Sequence, residues 1–495
     1  CASLAAWAGA GPARVRAASR AEPVPRSRRE FLKLALAAAG GAGLGLYLYH
    51  ARRDAVPLAE GYGPLRPVRD EATGMRLLEL PEGFSYRTFS WAGDPLSDGR
   101  TCPDQHDGMG IVREQGERVT LVRNHERRTI GALAAERDSY DVIGGGTSTL
   151  VFDTARAELL ESWISLSGTL HNCAGGVTPW GTWLSCEEGV WTPESVHLGV
   201  SPRQRRWRLG PARRTHGWVF EVGPEGLAAP EPIRDMGQFY HEAAAVDPGS
   251  GYVYMTEDTS PLAGFYRYLP RTPGRLGDGG RLQMMKVDGV RELLRDLSRL
   301  AEAAEQGLVA DWVDIPEPRR GHSPGTHDNM GVMRQGFEAG ATAFVALEGG
   351  TWSDGSVYFT SKLGGASGQG AMFRYVPATS RLHLVYESPG TSAISGPDNI
   401  VMSPRGSLLV CEDRVAGSKM SQRLAGVTRD GQLFHFCRVN PAVADTWNGY
   451  DLGSSLVISE WAGACFSADG QWLFANIHVP GVTVAITGPW ASGLV

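Results

Sequence analysis

The sequence contains no Cys-x-x-Cys pair and no His-Glu-x-x-His, which excludes the familiar zinc motifs. It also lacks Gly-x-Ser-x-Gly, so nothing points to a serine on a nucleophile elbow. Helix signals are scarce past the N-terminus. One stretch, Val290 to Glu305, spaces Leu293, Leu297, Leu300 and Ala304 as a helix would, with Gly307 as its stop. The only long apolar run, Leu34 to Tyr49, falls short of the roughly 20 residues a membrane span needs and contains Gly40, Gly41, Gly43 and Gly45. An excess of basic residues is absent too. Leaving out residues 1–53, the body holds 39 Lys and Arg against 52 Asp and Glu, a formal charge of −13. A body this acidic is a poor nucleic-acid binder and is suited to bound cations.

What is present is glycine, proline and repetition. Sixty-four Gly and thirty Pro suit a turn-rich β protein. Six stretches share one pattern: a polar or acidic residue, an apolar strand, a Gly-bearing turn, and a second strand ending in acidic residues. The clearest copy runs from His241-Glu242 through Asp247-Pro-Gly-Ser-Gly251 to Thr256-Glu257-Asp258. The others are Asn172-Cys173 to Cys186-Glu187-Glu188, Pro397-Asp398-Asn399 to Cys411-Glu412-Asp413, Glu348 to Lys362, Asp107-Gly108 to Asn124-His125-Glu126, and Gly463 to His478. Self-similarity at intervals of tens of residues marks a repeat architecture. The irregular spacing suits propeller blades with inserted loops. We expect an all-β, six-bladed β-propeller over residues 77–495, with one helical insertion near 288–306 and a linker at 54–76. The run Glu317 to Gly331 reads as a surface loop.

A hairpin returns its first and last residues to one end, so the copies should crowd carboxylates around one point. Two like charges at 4 Å repel by roughly 4 kcal/mol at an effective dielectric of 20. Cations relieve this most simply. Carboxylates suit calcium, and a thiolate at Cys173 adds a preference for a transition metal. Strand neighbours face opposite sides, so one residue of each acidic pair should turn away. Cys186 and Cys411 read as packing residues. His171 and His241 read as orienting groups or ligands, and His125 as a ligand or a hydrogen-bonding neighbour of Glu126. Lys362 stands where other copies are acidic and is a candidate anion contact.

The motifs around Cys173, Tyr240-His-Glu-Ala-Ala-Ala-Val-Asp247, Pro397-Asp-Asn399 and Gly463-Ala-Cys-Phe-Ser467, with Leu80-Pro-Glu-Gly-Phe84 and His106-Asp-Gly-Met-Gly110, resemble the PhoX-type alkaline phosphatases across roughly residues 77 to 490. The resemblance implies an iron pair (Fe³⁺) and calcium on the propeller axis, and hydrolysis of phosphate esters outside the cytoplasm. It implies Cys173 as a thiolate ligand and Glu242 and Glu348 as carboxylate ligands. Asp398, an acid of Glu412-Asp413, and Glu187 or Glu188 complete the set, and Glu126 is a further metal candidate. The larger phosphatases are expected to carry an Arg where this chain has Ala346; Arg123 or Lys362 are the candidate replacements. The alternatives are a calcium-dependent propeller esterase or lactonase and a non-catalytic binding propeller.

Ser27-Arg28-Arg29-Glu30-Phe31-Leu32-Lys33 ahead of the apolar run resembles a twin-arginine export signal. We therefore expect residues 1–53 to direct the chain through the twin-arginine machinery to the periplasm or exterior. Membrane contact is expected only through this segment, if it stays uncleaved. Because such substrates cross the membrane folded, the odd count of seven Cys does not demand a disulfide framework.

Overall fold

Each repeat closes as an antiparallel hairpin, and further strands complete the sheets. The structure, a computed structural model, describes residues 59, 61–193, 212–390, 393–413, 422–456 and 459–495. The expected export signal lies outside the described residues. Of the expected linker, Arg66–Val68 forms a strand against Leu78–Leu80, which pairs in turn with Leu433–Val439.

The fold is all-β and propeller-like. One four-stranded meander comprises His106–Gln115, Arg118–His125, Ile143–Asp153 and Glu158–Gly168. A three-stranded sheet follows: Asn172–Val177, Trp183–Glu187 and Val219–Val222. Two meanders, one opening at His241–Val246 and the other at Leu347–Ser353, merge into a nine-stranded sheet. The strand Leu308–Asp314 joins them, because it pairs with both Gly280–Val287 and Arg381–Glu387. A six-stranded sheet opens at Pro397–Met402. The last sheet, opening at Trp461–Phe466, takes Ser85–Phe89 as its fourth strand, so an early strand of the body closes on its end.

The opening strands stand side by side. His106–Gln115 packs against Asn172–Val177, which packs against His241–Val246. The series continues through Leu347–Ser353 and Pro397–Met402 to Trp461–Phe466, which returns to His106–Gln115. Glycine makes this approach possible. A Cβ at Gly108 would sit 2.6 Å from Ala174 Cα, and one at Gly349 would sit 2.5 Å from Asp398 O. The apolar cores lie between facing sheets. One joins Phe89, Phe474 and Ala485 of the last sheet to Leu121, Leu150 and Phe152 of the first meander.

The helical insertion is shorter than its sequence pattern. A 3-10 turn spans Leu293–Arg295, and the helix begins only at Leu297 and runs to Glu305, where the Asp296 side chain accepts from Arg299 N. A second helix, Gly331–Glu338, follows the expected loop and was not signalled by the sequence. Among the described residues no helix is long and apolar enough to cross a membrane.

Candidate metal centre

All six hairpins carry a register shift near the start of the opening strand, after the first pair in five of them and after the second, Ala462 with Asn476, in the sixth. A bulge bends a strand and re-aims a side chain. The residues held there are Asp107, Cys173, Glu242, Glu348 and Asp398, with Gly463 in the sixth hairpin. The residues just past the paired end of each second strand form a second layer: Glu126, Glu188, Asp258, Lys362, Asp413 and His478. Cys173, Glu242, Glu348 and Asp398 are buried, while Glu188, Asp258, Lys362 and Asp413 are half-buried. The open side of the hub is therefore the second layer.

The ligand-type atoms converge. Cys173 Sγ lies 3.3 Å from Glu242 Oε1 and 3.6 Å from Asp107 Oδ2. Among the described residues, Glu242, Glu348 and Asp398 each place one oxygen within 4.8 Å of the others, and Glu126, Cys173 and Glu188 do the same with two oxygens and the Cys173 sulfur. Asp107, Glu126, Glu460 and His478 form a third group, and Asp398, Asp413 and Glu460 a fourth. Lys362 Nζ pairs with Asp413 and stands 3.7 Å from Glu348 and 4.0 Å from Asp398.

Two histidines brace the acids. His478 bridges Glu126 (2.7 Å) and Glu460 (3.0 Å), and His171 bridges Glu126 and Glu188 (2.8 Å). Arg128 lies 3.4 Å from Glu126 and 3.7 Å from Glu188. Burial tends to raise Glu126, yet His171 and His478 hold it well below the usual carboxylate range. Glu460, half-buried, is drawn down to about 2 by His478 against the desolvation that would raise it.

The remaining acids behave oppositely. Burial, then the charges of Glu348 and Asp398, push Glu242 well above the carboxylate range. Burial and Asp258 do the same to Glu348, and burial and Glu126 to Asp107. Asp398 is pushed up to about 7, chiefly by burial. Burial, Asp107 and Glu242 raise the Cys173 thiol.

This donor set fits metal ions. Nine acids (Asp107, Glu126, Glu188, Glu242, Asp258, Glu348, Asp398, Asp413 and Glu460) face four cationic side chains (Arg128, His171, Lys362 and His478). Glu242 Oε2 is buried without a hydrogen-bond partner among the described residues. An acceptor left this way is costly unless a cation takes it.

Three sequence expectations are corrected. Glu187 turns away from the hub and accepts from the amides of Leu170, Gly217 and Trp218 and pairs with His216 at 2.7 Å. Glu412 pairs with Arg423 at 2.6 Å and accepts from Ser395 N. Both occupy the position before the second-layer residue, where strand alternation directs the side chain into the sheet. Glu257 does the same, accepting from Gly264 N and Tyr266 Oη. Arg123 is not a surface cation. It is enclosed by Ser90, Thr483, Ser148 and Cys102, out of reach of any ligand. His125 bonds Ser148 and Asp104 O, and His241 stacks on Phe239, so neither faces the hub. Glu460 and His478 were missed as hub groups. Their signal is positional: Glu460 precedes its opening strand just as His171 does, and His478 ends its hairpin just as Glu126 does.

Glu187→Ala should destabilise the fold by about 3–5 kcal/mol, because it strips three buried amides and a buried histidine of their acceptor. Chemical denaturation measures this.

A cavity of about 650 Å³ lies immediately beyond the buried layer on its other side. Its walls are Met109, Val177, Trp183, Trp352, Met402 and Phe466 with glycine and alanine backbone, and it contains no charged side chain.

The sequence profile of the family Alkaline phosphatase PhoX matches residues 60–150 and 143–481. Among solved structures, PhoX of Pseudomonas fluorescens in complex with vanadate, a transition state analogue, is similar with a TM-score of 0.58 at 17% identity. The match covers 87% of this chain and 99% of that one. A gluconolactonase of Xanthomonas campestris matches at a TM-score of 0.38 and 13% identity, over 88% of this chain and 99% of that one. No curated protein sequence is significantly similar to this chain.

Proposed function

This chain belongs to the PhoX alkaline phosphatase family and is a phosphoric ester hydrolase, and we propose that it works with iron and calcium ions held at the hub of a six-bladed propeller. The ring of six opening strands, each followed by its own hairpin partner, supports the blade count. The observation that carries the metal reading is Cys173 Sγ lying 3.3 Å from Glu242 in a buried layer whose other charged groups, Asp107, Glu242, Glu348 and Asp398, are all carboxylates. Thiolate suits iron, and the oxygen-rich groups suit calcium.

Cys173, Glu242, Glu348 and Asp398 would hold ions from the buried layer. Asp107, Glu126, Glu188, Asp413 and Glu460 would hold them from the sides. When bound, such ions withdraw electron density from phosphorus and lower the pKa of the attacking oxygen. The carboxylates fix positions and do not attack. His171 and His478 keep Glu126 and Glu460 ionised, and His171 also orients Glu188. Lys362, half-buried on the open side, is placed to hold a phosphoryl oxygen whose charge grows in the transition state. Arg123 takes no part.

The test is hydrolysis of p-nitrophenyl phosphate by the purified chain supplied with iron and calcium, then repeated after chelation. Turnover that chelation removes is expected. Turnover of lactones with calcium alone, and none of the phosphate ester, contradicts the reading.

We also propose periplasmic or extracellular location through the twin-arginine route, on the strength of Ser27-Arg28-Arg29 and the apolar run after it. Arg28→Lys together with Arg29→Lys should leave the protein in the cytoplasmic fraction. Unchanged export would refute this.

A further inference from the structure

Glu126, Arg127 and Arg128 leave the first hairpin in succession, and their side chains alternate. Glu126 enters the hub, and Arg127 turns away to pair with Asp104 at 2.7 Å. Arg128 turns back. Its terminal nitrogen lies 2.9 Å from His171 Nδ1, 3.4 Å from Glu126 Oε1 and 3.7 Å from Glu188 Oε2. The guanidinium therefore sits in the second layer, on the open side of the hub, between the first hairpin and the second. The backbone on either side of it is clamped. Arg127 O accepts from His171 N at 3.0 Å, and Thr129 O accepts from Gly144 N at 2.7 Å. A donor fixed in advance needs little ordering when a ligand arrives.

Arg128 is a loose partner for the two acids. His478 stands 2.7 Å from Glu126 and His171 stands 2.8 Å from Glu188, both closer than the guanidinium. The Arg128 side chain also keeps 37% of its surface exposed, and ion pairs between exposed groups add little stability. Ions held by Glu126 and Glu188 would draw on the same oxygens and loosen them further from Arg128. The histidines, then, do the bracing, and the place of Arg128 in the ring suits another role. The six opening strands close a ring, so the fourth hairpin, which ends at Lys362, lies across the hub from the first. Arg128 and Lys362 thus stand on opposite sides of the open layer. A phosphoryl group seated over the buried acids carries oxygens toward both. The planar guanidinium fork matches two phosphate oxygens, whereas an ammonium acts as a point charge.

We propose that Arg128 is a substrate-binding residue, holding phosphoryl oxygens from the side of the hub opposite Lys362. The inference rests on the phosphatase reading above and adds a contact at that same site.

The experiment compares the metal-loaded full chain with Arg128→Gln and Arg128→Lys. Binding of inorganic phosphate is measured by equilibrium dialysis, beside iron and calcium content, melting temperature, and kcat and KM for p-nitrophenyl phosphate. Arg128→Gln should weaken phosphate binding by about 10–100-fold, the range of a hydrogen bond to a charged group. Its metal content and melting temperature should match the parent. Arg128→Lys should recover only part of the loss, because it restores the charge without the fork. Unchanged phosphate binding by Arg128→Gln, in a parent that hydrolyses the ester, overturns this proposal and leaves the phosphatase reading standing. Loss of iron or calcium from Arg128→Gln assigns the residue to holding the carboxylates and overturns the proposal as well. A loaded parent that hydrolyses no phosphate ester overturns both.

Discussion

Glu242→Ala should lower phosphomonoester turnover by at least about 1,000-fold and empty the hub of metal. The estimate follows from charge stabilisation of several kcal/mol by bound ions, at about 1.4 kcal/mol per decade of rate. Glu242 is fully buried, borders Cys173, and shares an ion-sized group with Glu348 and Asp398. No neighbour can take over its position, because the bulge that aims it is local to its own hairpin. The same substitution should not harm the metal-free fold. Without ions, burial and the charges of Glu348 and Asp398 oppose a charge on Glu242, so its removal relieves the apo hub. Metal content, kcat and the melting temperature of chelated protein together distinguish this from simple unfolding. A chelated variant that melts far below chelated wild type would assign Glu242 to the fold instead.

The second large effect is a reversal of pH dependence on stripping the metals. Chelated protein should melt higher at pH 5 than at pH 8, by roughly 5 °C or more, since a kcal/mol moves the midpoint of a large domain by about 2–4 °C. The sign follows from proton binding. Asp398 sits at about 7 in the folded chain, and Asp107, Glu242, Glu348 and Asp413 lie well above the carboxylate range. Unfolded carboxyls ionise near pH 4. Between pH 4 and 7 the folded form therefore holds more protons, and stability falls as pH rises. His171 and His478 are raised by their acid partners and act in the same direction above about pH 6.5. Glu126 and Glu460 are depressed, and Glu460 loses its contribution only near pH 2, outside this window. Loaded protein should behave oppositely, because ligands must be deprotonated to bind metal. Thermal melts at both pH values, with and without chelator, give the four numbers needed. A chelated melting temperature that rises with pH would show that the hub acids do not repel one another.

The repeats that build the hub were legible because each hairpin carries its own turn and its own acidic ends. Alternation also required that one residue of each acidic pair face away. It did not say which one, since a bulge adds one residue and reverses the count. Glu187 and Glu412 therefore stood as alternatives to Glu188 and Asp413, and only the register of the folded hairpins separates them. Arg123 was misread because a buried guanidinium held by hydroxyls and a thiol has no mark in sequence. Glu460 and His478 went unnoticed since the sixth hairpin has Gly463 where the others have an acid or a thiol. Its contribution comes instead from the residues flanking the hairpin.

The most direct test of a metal-holding hub is elemental analysis of the purified chain beside its Cys173→Ser variant. Stoichiometric iron and calcium in the parent, with iron lost from the variant, is the predicted result. A parent that hydrolyses phosphate esters at full rate while carrying neither ion would contradict it.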